Sequence, residues 1–249
     1  MRIIISPAKK MKVDTDTLAS KGSPVYLDSA REILTHLQGY SYAELKNLWQ
    51  CNDKIAELNA ERIKIMNPNR GLTPAIISYE GIQYQYMAPN VFENGQFDYV
   101  EEHLRILSGF YGVLKPMDGV IPYRLEMQAR LQIGSYDNLY AYWGKRLYDA
   151  VRDESGIIIN LASKEYSKCI EPYLTEEDTY ITCVFGEMVN GKLAQKGTYA
   201  KMARGEMVRY MAENNIENPI EIRNFDRLGY VFREELSSDT KYVFERINA

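Results

Sequence analysis

The sequence predicts an α+β fold: one compact domain over residues 1–249, with helices surrounding a mixed β-sheet. Three observations carry that expectation. Two short, wholly apolar β-branched runs, Ile3-Ile4-Ile5 and Ile157-Ile158-Ile159, have the composition of strands buried on both faces. Between them lie stretches with apolar residues every three or four positions, the period of an amphipathic helix. The second half adds alternating segments around Asn190-Gly191, a dipeptide that favours the φ > 0 geometry of a tight hairpin turn. No internal repeat, low-complexity tract or Gly/Ser linker divides the chain, so one domain is expected rather than two.

The elements follow in order. Arg2 to Ile5 reads as a strand stopped by Ser6-Pro7. Leu27 to Leu37, with Ala30, Ile33, Leu34 and Leu37, reads as a helix, a further helical stretch begins near Tyr42, and Ile55 to Met66 repeats the pattern through Leu58 and Ile63. Phe97 to Leu107 continues it through Val100, Leu104 and Leu107, and Leu139 to Val151 adds Trp143 and Leu147. Ile157 to Asn160 is the second buried strand, and Tyr180 to Phe185 leads toward the hairpin at Met188 to Leu193. Tyr199 to Ala212 is helical by its Ala, Met and Arg content, and Gly229 to Phe232 and Lys241 to Ile247 alternate as strands do.

Composition narrows the class of function. With 30 Lys+Arg against 34 Asp+Glu the formal net charge is −4, which argues against coating nucleic acid through bulk charge but leaves room for a local basic cleft. Charge is unevenly dealt: Met1 to Lys12 holds Arg2, Lys9, Lys10 and Lys12 with no acid, and Lys192 to Arg209 sets five cations against Glu206 alone, whereas Glu171 to Asp178 is wholly acidic. The apolar runs are short and broken by charge, and the first residues lack the apolar stretch of a signal peptide, so a cytoplasmic protein with no membrane partner is expected. Three widely spaced cysteines, Cys51, Cys169 and Cys183, do not make a disulfide framework. There is no G-x-G-x-x-G, Walker loop or H-E-x-x-H, and the two histidines, His36 and His103, lie inside helical patterns where packing or hydrogen bonding is their natural role. No cofactor or metal is expected.

Several residues stand out against this background. From Tyr123 to Leu131 every odd position is apolar and every even one polar, so a strand here would put Arg124, Glu126, Gln128 and Arg130 on one ridge. That ridge is either an exposed strand face or a cleft wall presenting two guanidiniums to phosphate or carboxylate. Both buried strands end in turns, Ser6-Pro7-Ala8-Lys9 and Asn160-Leu161-Ala162-Ser163, and parallel strands gather ligands outside their carboxyl ends. Ser163 also suits a helix N-cap. Lys201 and Arg204 are three apart, on one face of a helix near its start, an arrangement suited to an anion. Leu37-Gln38-Gly39-Tyr40 resembles the hairpin of a helix-hairpin-helix, and Gly109-Phe110-Tyr111-Gly112 matches either a KH loop or a plain helix exit. Glu126, Glu165 and Tyr166 are the available acid or base groups.

Taken together the residues resemble the YaaA family of bacterial peroxide stress resistance proteins, end to end. The resemblance rests on Ile5 to Lys9, on Asn52 to Ala56 with Asn59 and Arg62, and on His103 to Leu114. Pro122 to Met127, Asn160 to Tyr166, Ala200 to Gly205 and Gly229-Tyr230 complete it. It implies a protein that limits damage and free iron under hydrogen peroxide, and DNA binding without sequence preference, to duplex or branched DNA. It further implies a positively charged cleft and a helix-hairpin-helix element. Carried over by position, Lys9, Arg124, Arg130, Lys201 and Arg204 are cleft residues, and Gly39 with Lys54 and Arg62 belongs to the hairpin region. Gln128 stands where the family commonly has glycine. The rival reading is an enzyme acting on a small phosphorylated or carboxylated ligand in the same cleft.

Overall fold

The computed structural model describes residues 1–247. At its centre is β1, Arg2–Ile5, whose Ile3, Ile4 and Ile5 are fully buried. A strand with consecutive side chains buried is covered on both faces and needs neighbours on both edges. Leu104–Ser108 pairs parallel to it on one side, with Ile3 opposite Leu104, and Ile157–Leu161 on the other, with Ile4 opposite Asn160. Thr179–Val189 and Lys241–Arg246 extend the parallel array beyond Ile157–Leu161. Antiparallel strands, Tyr230–Phe232 and Gly112–Leu114, close the two ends of the strand order, and Lys192–Ala194 folds back on Thr179–Val189 as the eighth strand. The sheet is mixed and surrounded by helices, as expected. Its five parallel central strands, interleaved in sequence with the helices, make the single domain α/β rather than α+β.

The helical layer begins with α1 (Leu27–Gln38), α2 (Tyr42–Trp49) and α3 (Asp53–Ile65). The apolar stripe of α1 is buried through Ala30, Ile33, Leu34 and Leu37. Ser41 and Glu44 form a reciprocal capping box at the start of α2, and the Asn52 side chain caps α3 by accepting from the Ile55 N–H at 3.0 Å. The hairpin is of the expected type: Asn190 and Gly191 have φ of 50° and 76°. Among the described residues no helix is long and apolar enough to cross a membrane.

Four expectations are corrected. The helix read over Phe97 to Leu107 ends at His103, and Leu104–Ser108 is a central strand, all five residues buried. Arg105 interrupts that apolar run and disguises it, yet the side chain is buried and its guanidinium donates to the Leu104 and Glu101 carbonyls at 2.7 and 3.1 Å. Leu139 to Val151 is broken into Leu139–Trp143 and Arg146–Val151 by Gly144 at φ 51°. Gly109 to Gly112 is neither a KH loop nor a helix exit but the buried turn between two antiparallel strands. Tyr123 to Leu131 joins no strand ladder, although its alternation survives in burial: Tyr123, Leu125, Met127, Ala129 and Leu131 are buried, while Arg124 and Glu126 are half-buried and Gln128 and Arg130 exposed. That segment packs across Gly109 so closely that a Cβ there would lie 2.5 Å from the Leu125 carbonyl oxygen.

The long helix expected near Tyr199 spans Gly197–Glu213 and packs on Ile82–Met87. Gly205 permits the approach, because a Cβ there would sit 2.1 Å from the Gln83 carbonyl oxygen. In a solvent-facing helix Gly→Ala is stabilising by about 1 kcal/mol. Here Gly205→Ala should lower the unfolding free energy by about 2 kcal/mol or more, the cost of overpacking against backbone, as read by urea denaturation.

Candidate functional site

The carboxyl ends of β1 and Ile157–Leu161 lie side by side because the strands are parallel neighbours in register. Their ends are clasped: Ser163 N–H donates to Ser6 Oγ at 2.8 Å, and Ser6 Oγ donates to Ser163 Oγ at 3.1 Å. Ser163 does precede a short helix, Lys164–Ser167, but its hydroxyl is turned to Ser6 and does not cap it. The Tyr84 hydroxyl donates to the Ser6 carbonyl at 3.0 Å. Beside this seam, Ser108 Oγ accepts from the Phe110 and Tyr111 N–H groups at 3.2 and 2.9 Å and lies 2.6 Å from the Tyr123 hydroxyl. Its hydrogen therefore goes to Tyr123, whose hydroxyl shares a second hydrogen bond with Tyr79 at 2.7 Å. Burial pushes the Tyr123 phenol up to about 12 and Tyr79 well above its usual range, so both are neutral at physiological pH.

This wall encloses a cavity of about 400 Å³ whose lining includes Lys9, Arg124, Lys201 and Arg204. Four of the eight sequence-predicted site residues thus converge on one space. A single carboxylate oxygen, Glu126 Oε1, accepts from Arg124 Nη2 at 2.9 Å and forms an ion pair with Lys9 Nζ at 3.0 Å. Arg124 and Glu126 side chains are only 10% and 12% exposed, so the pair is largely out of water. By contrast Lys201 and Arg204 form no ion pair among the described residues. Burial pulls the Arg204 guanidinium below its ordinary value, and no carboxylate opposes that effect. Glu165, also in the lining, is raised above the usual glutamic acid range by burial, partly offset by a hydrogen bond from the Gln128 N–H at 3.3 Å. Tyr166 is buried and raised well above the phenol range.

Lys9 and Glu126 also line a second cavity of about 670 Å³, with Tyr40, Trp49, Gln128 and Arg130. Arg130 is therefore next door, exposed, and separated from the first cavity by the Lys9–Glu126 pair. The remaining three residues lie in the α1–α3 layer. Gly39 closes α1 in ordinary right-handed geometry, with φ −77°. The Gly39 and Tyr40 N–H groups are engaged by carbonyls of α1, and the Ser41 N–H by the Glu44 carboxylate at 2.7 Å. Lys54 is exposed on the first turn of α3, and Arg62 is half-buried with Nη2 3.5 Å from the Met11 carbonyl oxygen. Sequence reasoning missed Gln83 and Glu80, which line the first cavity, and Trp49 in the second. The available signal was indirect: Gly205 in mid-helix marks a close approach, and Gln83 is what it approaches.

The other chemical groups are placed elsewhere. His103 is buried, with Nδ1 2.9 Å from the Met1 carbonyl oxygen and Nε2 3.1 Å from a Glu217 carboxylate oxygen, a hydrogen-bonding role. Cys169 and Cys183 are buried free thiols pushed by burial up to about 12. Among the described residues no three His, Cys, Asp or Glu side chains gather as a metal-binding group.

Comparison with known proteins places this architecture. The family model described as peroxide stress protein YaaA matches residues 1–236. The chain belongs to the peroxide stress protein YaaA family. Relatives are similar over almost their whole lengths. A UPF0246 protein of Agathobacter rectalis is 65% identical over 99% of both chains. A UPF0246 protein of Lachnoclostridium phytofermentans is 57% identical over 98% of this chain and 96% of its own. A UPF0246 protein of Pediococcus pentosaceus is 53% identical over 98% of this chain and 97% of its own. The YaaA match covers every cavity residue named above.

The Ser6–Ser163 clasp has a measurable worth. Ser6→Ala leaves the Ser163 N–H without its acceptor, and the unfolding free energy should fall by about 1–3 kcal/mol. Ser6→Thr, which keeps an oxygen at that position, should recover most of the loss in the same denaturation assay.

Proposed function

We propose that this YaaA family member binds DNA phosphates without sequence preference, in the cytoplasm, as part of the response to hydrogen peroxide. The observation that carries the reading is the pair of cations on one helix face, Lys201 and Arg204, left without carboxylate partners where Lys9, Arg124 and, across the Lys9–Glu126 pair, Arg130 converge. Unneutralised Lys and Arg are what a phosphate backbone recruits, with release of condensed counterions. Lys9, Arg130 and Lys201 are exposed and meet the backbone first, while Arg124 and Arg204 lie deeper. The positive field is local, since the chain as a whole carries −4.

The α1–α3 layer flanks this face and takes the place of a helix-hairpin-helix element. Because the Gly39, Tyr40 and Ser41 N–H groups are already engaged, its contribution comes from the Lys54 and Arg62 side chains rather than from an amide clasp. Lower free iron and reduced damage are cellular outcomes of the response in this reading, without chelation by a residue cluster. A second reading, an enzyme acting on a small phosphorylated or carboxylated ligand, is favoured by one observation: Glu165, raised by burial, shares the cavity with Glu126 and Arg124.

Fluorescence anisotropy with labelled duplex, single strand and branched junction, titrated across salt, tests the first reading. Affinity should fall steeply with salt on every sequence, with a slope of about −0.9 per contacted phosphate on duplex. Lys201→Ala and Arg130→Ala should each weaken all sequences alike and flatten that slope by about 1. Glu165 adds a pH dependence of defined sign. Its raised value keeps it protonated above the usual range, so raising pH through its titration adds a negative charge to the cleft and weakens binding. Glu165→Gln should remove that decline. Absence of binding at low salt would overturn the DNA reading.

A further inference from the structure

Three buried side-chain nitrogens around the first cavity have no hydrogen-bond partner: Arg204 Nε, Arg124 Nε and Gln83 Nε2. All three are donors. Gln83 is only 7% exposed, and its backbone is seated against the long helix by the close approach that Gly205 permits. The half-buried Arg204 guanidinium forms no hydrogen bond and no ion pair among the described residues, and its Nε is fully out of solvent. Buried donors in native proteins are nearly always satisfied, and a guanidinium stays charged at any physiological pH. A desolvated cation without a counter-ion destabilises the fold that contains it. Three such donors, on residues that line one cavity of about 400 Å³, describe the complement of a multi-oxygen acceptor.

We infer that the cavity at the carboxyl ends of the parallel strands is a binding site for a small oxyanion-bearing molecule, a phosphate ester or carboxylate, held by Arg204, Arg124 and Gln83. Its anionic head sits between the two guanidiniums, with Gln83 supplying a neutral donor. Glu126 fixes Arg124 through its 2.9 Å bond, and Lys201 stands at the exposed margin to attract the anion. A site of this volume takes a free small molecule. The inference rests on the second reading above, a small phosphorylated or carboxylated ligand in this cavity, and its test contains no DNA.

The site also predicts a trade-off. Residues kept for a ligand are a liability without it, so removing the unpaired charge should stabilise the empty protein. The test is thermal unfolding of the wild type, Arg204→Met and Gln83→Leu in chloride, in inorganic phosphate and in malonate at matched ionic strength, with no nucleic acid present. Arg204→Met should melt above the wild type in chloride, by about 4 °C. Phosphate or malonate should raise the wild-type midpoint saturably by a similar amount, and that rise should vanish in Arg204→Met and shrink in Gln83→Leu. Phosphate acting alone identifies a phosphate ester, and malonate acting alone a carboxylate. An Arg204→Met protein that melts below the wild type in chloride, or fails to fold, makes the guanidinium structural and overturns the inference. So does a shift of equal size in wild type and Arg204→Met, which is the general salting effect of the anion, or no shift with either probe. The anisotropy titration reports separately on DNA, so either reading can fail without the other.

Discussion

The parallel pairing of two isoleucine-rich strands, with Ser6 clasping Ser163 where they end, is the constraint on which the rest of the molecule depends. Parallel strands in register bring both carboxyl ends to one edge of the sheet, where the chain must leave in loops. The chain beyond them carries Lys9 after one strand and Glu165, in the short helix Lys164–Ser167, after the other. Leu104–Ser108, on the far side of β1, ends at the same edge and supplies Ser108, which anchors Tyr123 and with it the Arg124–Glu126 segment. Two glycine contacts then set distances that side chains would forbid. Gly109 lets the Arg124–Glu126 segment lie against the strand turn, and Gly205 seats the helix bearing Lys201 and Arg204 on the wall bearing Gln83.

Charge at that edge is arranged in two tiers. Glu126 spends one oxygen on both Lys9 and Arg124, which fixes Arg124 in place and offsets its charge. Lys201 and Arg204 have no such partner among the described residues, and Arg204 is half-buried. Net attraction for an anion therefore comes from the helix, while orientation comes from the loop. In the proposed readings the exposed cations Lys9, Arg130 and Lys201 meet a large polyanion at the surface, and Arg204, Arg124 and Gln83 hold a small one inside. Both roles draw on one local field within an acidic chain.

Much of this was legible in the sequence, for physical reasons that also explain the rest. The Ile-rich strands, the Asn190-Gly191 hairpin and the helices over Leu27–Gln38 and Gly197–Glu213 announce themselves because local pattern and tertiary environment agree there. Leu104–Ser108 hides because buried Arg105 breaks an otherwise apolar run and satisfies itself on backbone carbonyls, which no periodicity reveals. Tyr123 to Leu131 shows the converse: its period of two reports real alternation of burial, yet alternation needs only an extended chain, not a ladder partner. Lys9 was readable as a basic residue at a strand end, Arg124 on an alternating ridge, and Lys201 and Arg204 on one helix face. Gln83 was not, because its role follows from packing against Gly205, more than a hundred residues away in the chain. Gly39 was readable as a helix end, but only the hydrogen bonds of its neighbours show that the hairpin amides are engaged.

The most direct test of the central claim is to watch the guanidiniums themselves. In a ¹H–¹⁵N spectrum of the arginine Nε–H groups, the Arg204 and Arg124 resonances are assigned by their loss in Arg204→Met and Arg124→Met. The account predicts that both move together and saturably as inorganic phosphate is added, because their unpartnered Nε–H groups acquire an acceptor. Resonances that stay fixed while only exposed arginines respond would contradict it, and would return Arg204 and Arg124 to the role of structural cations.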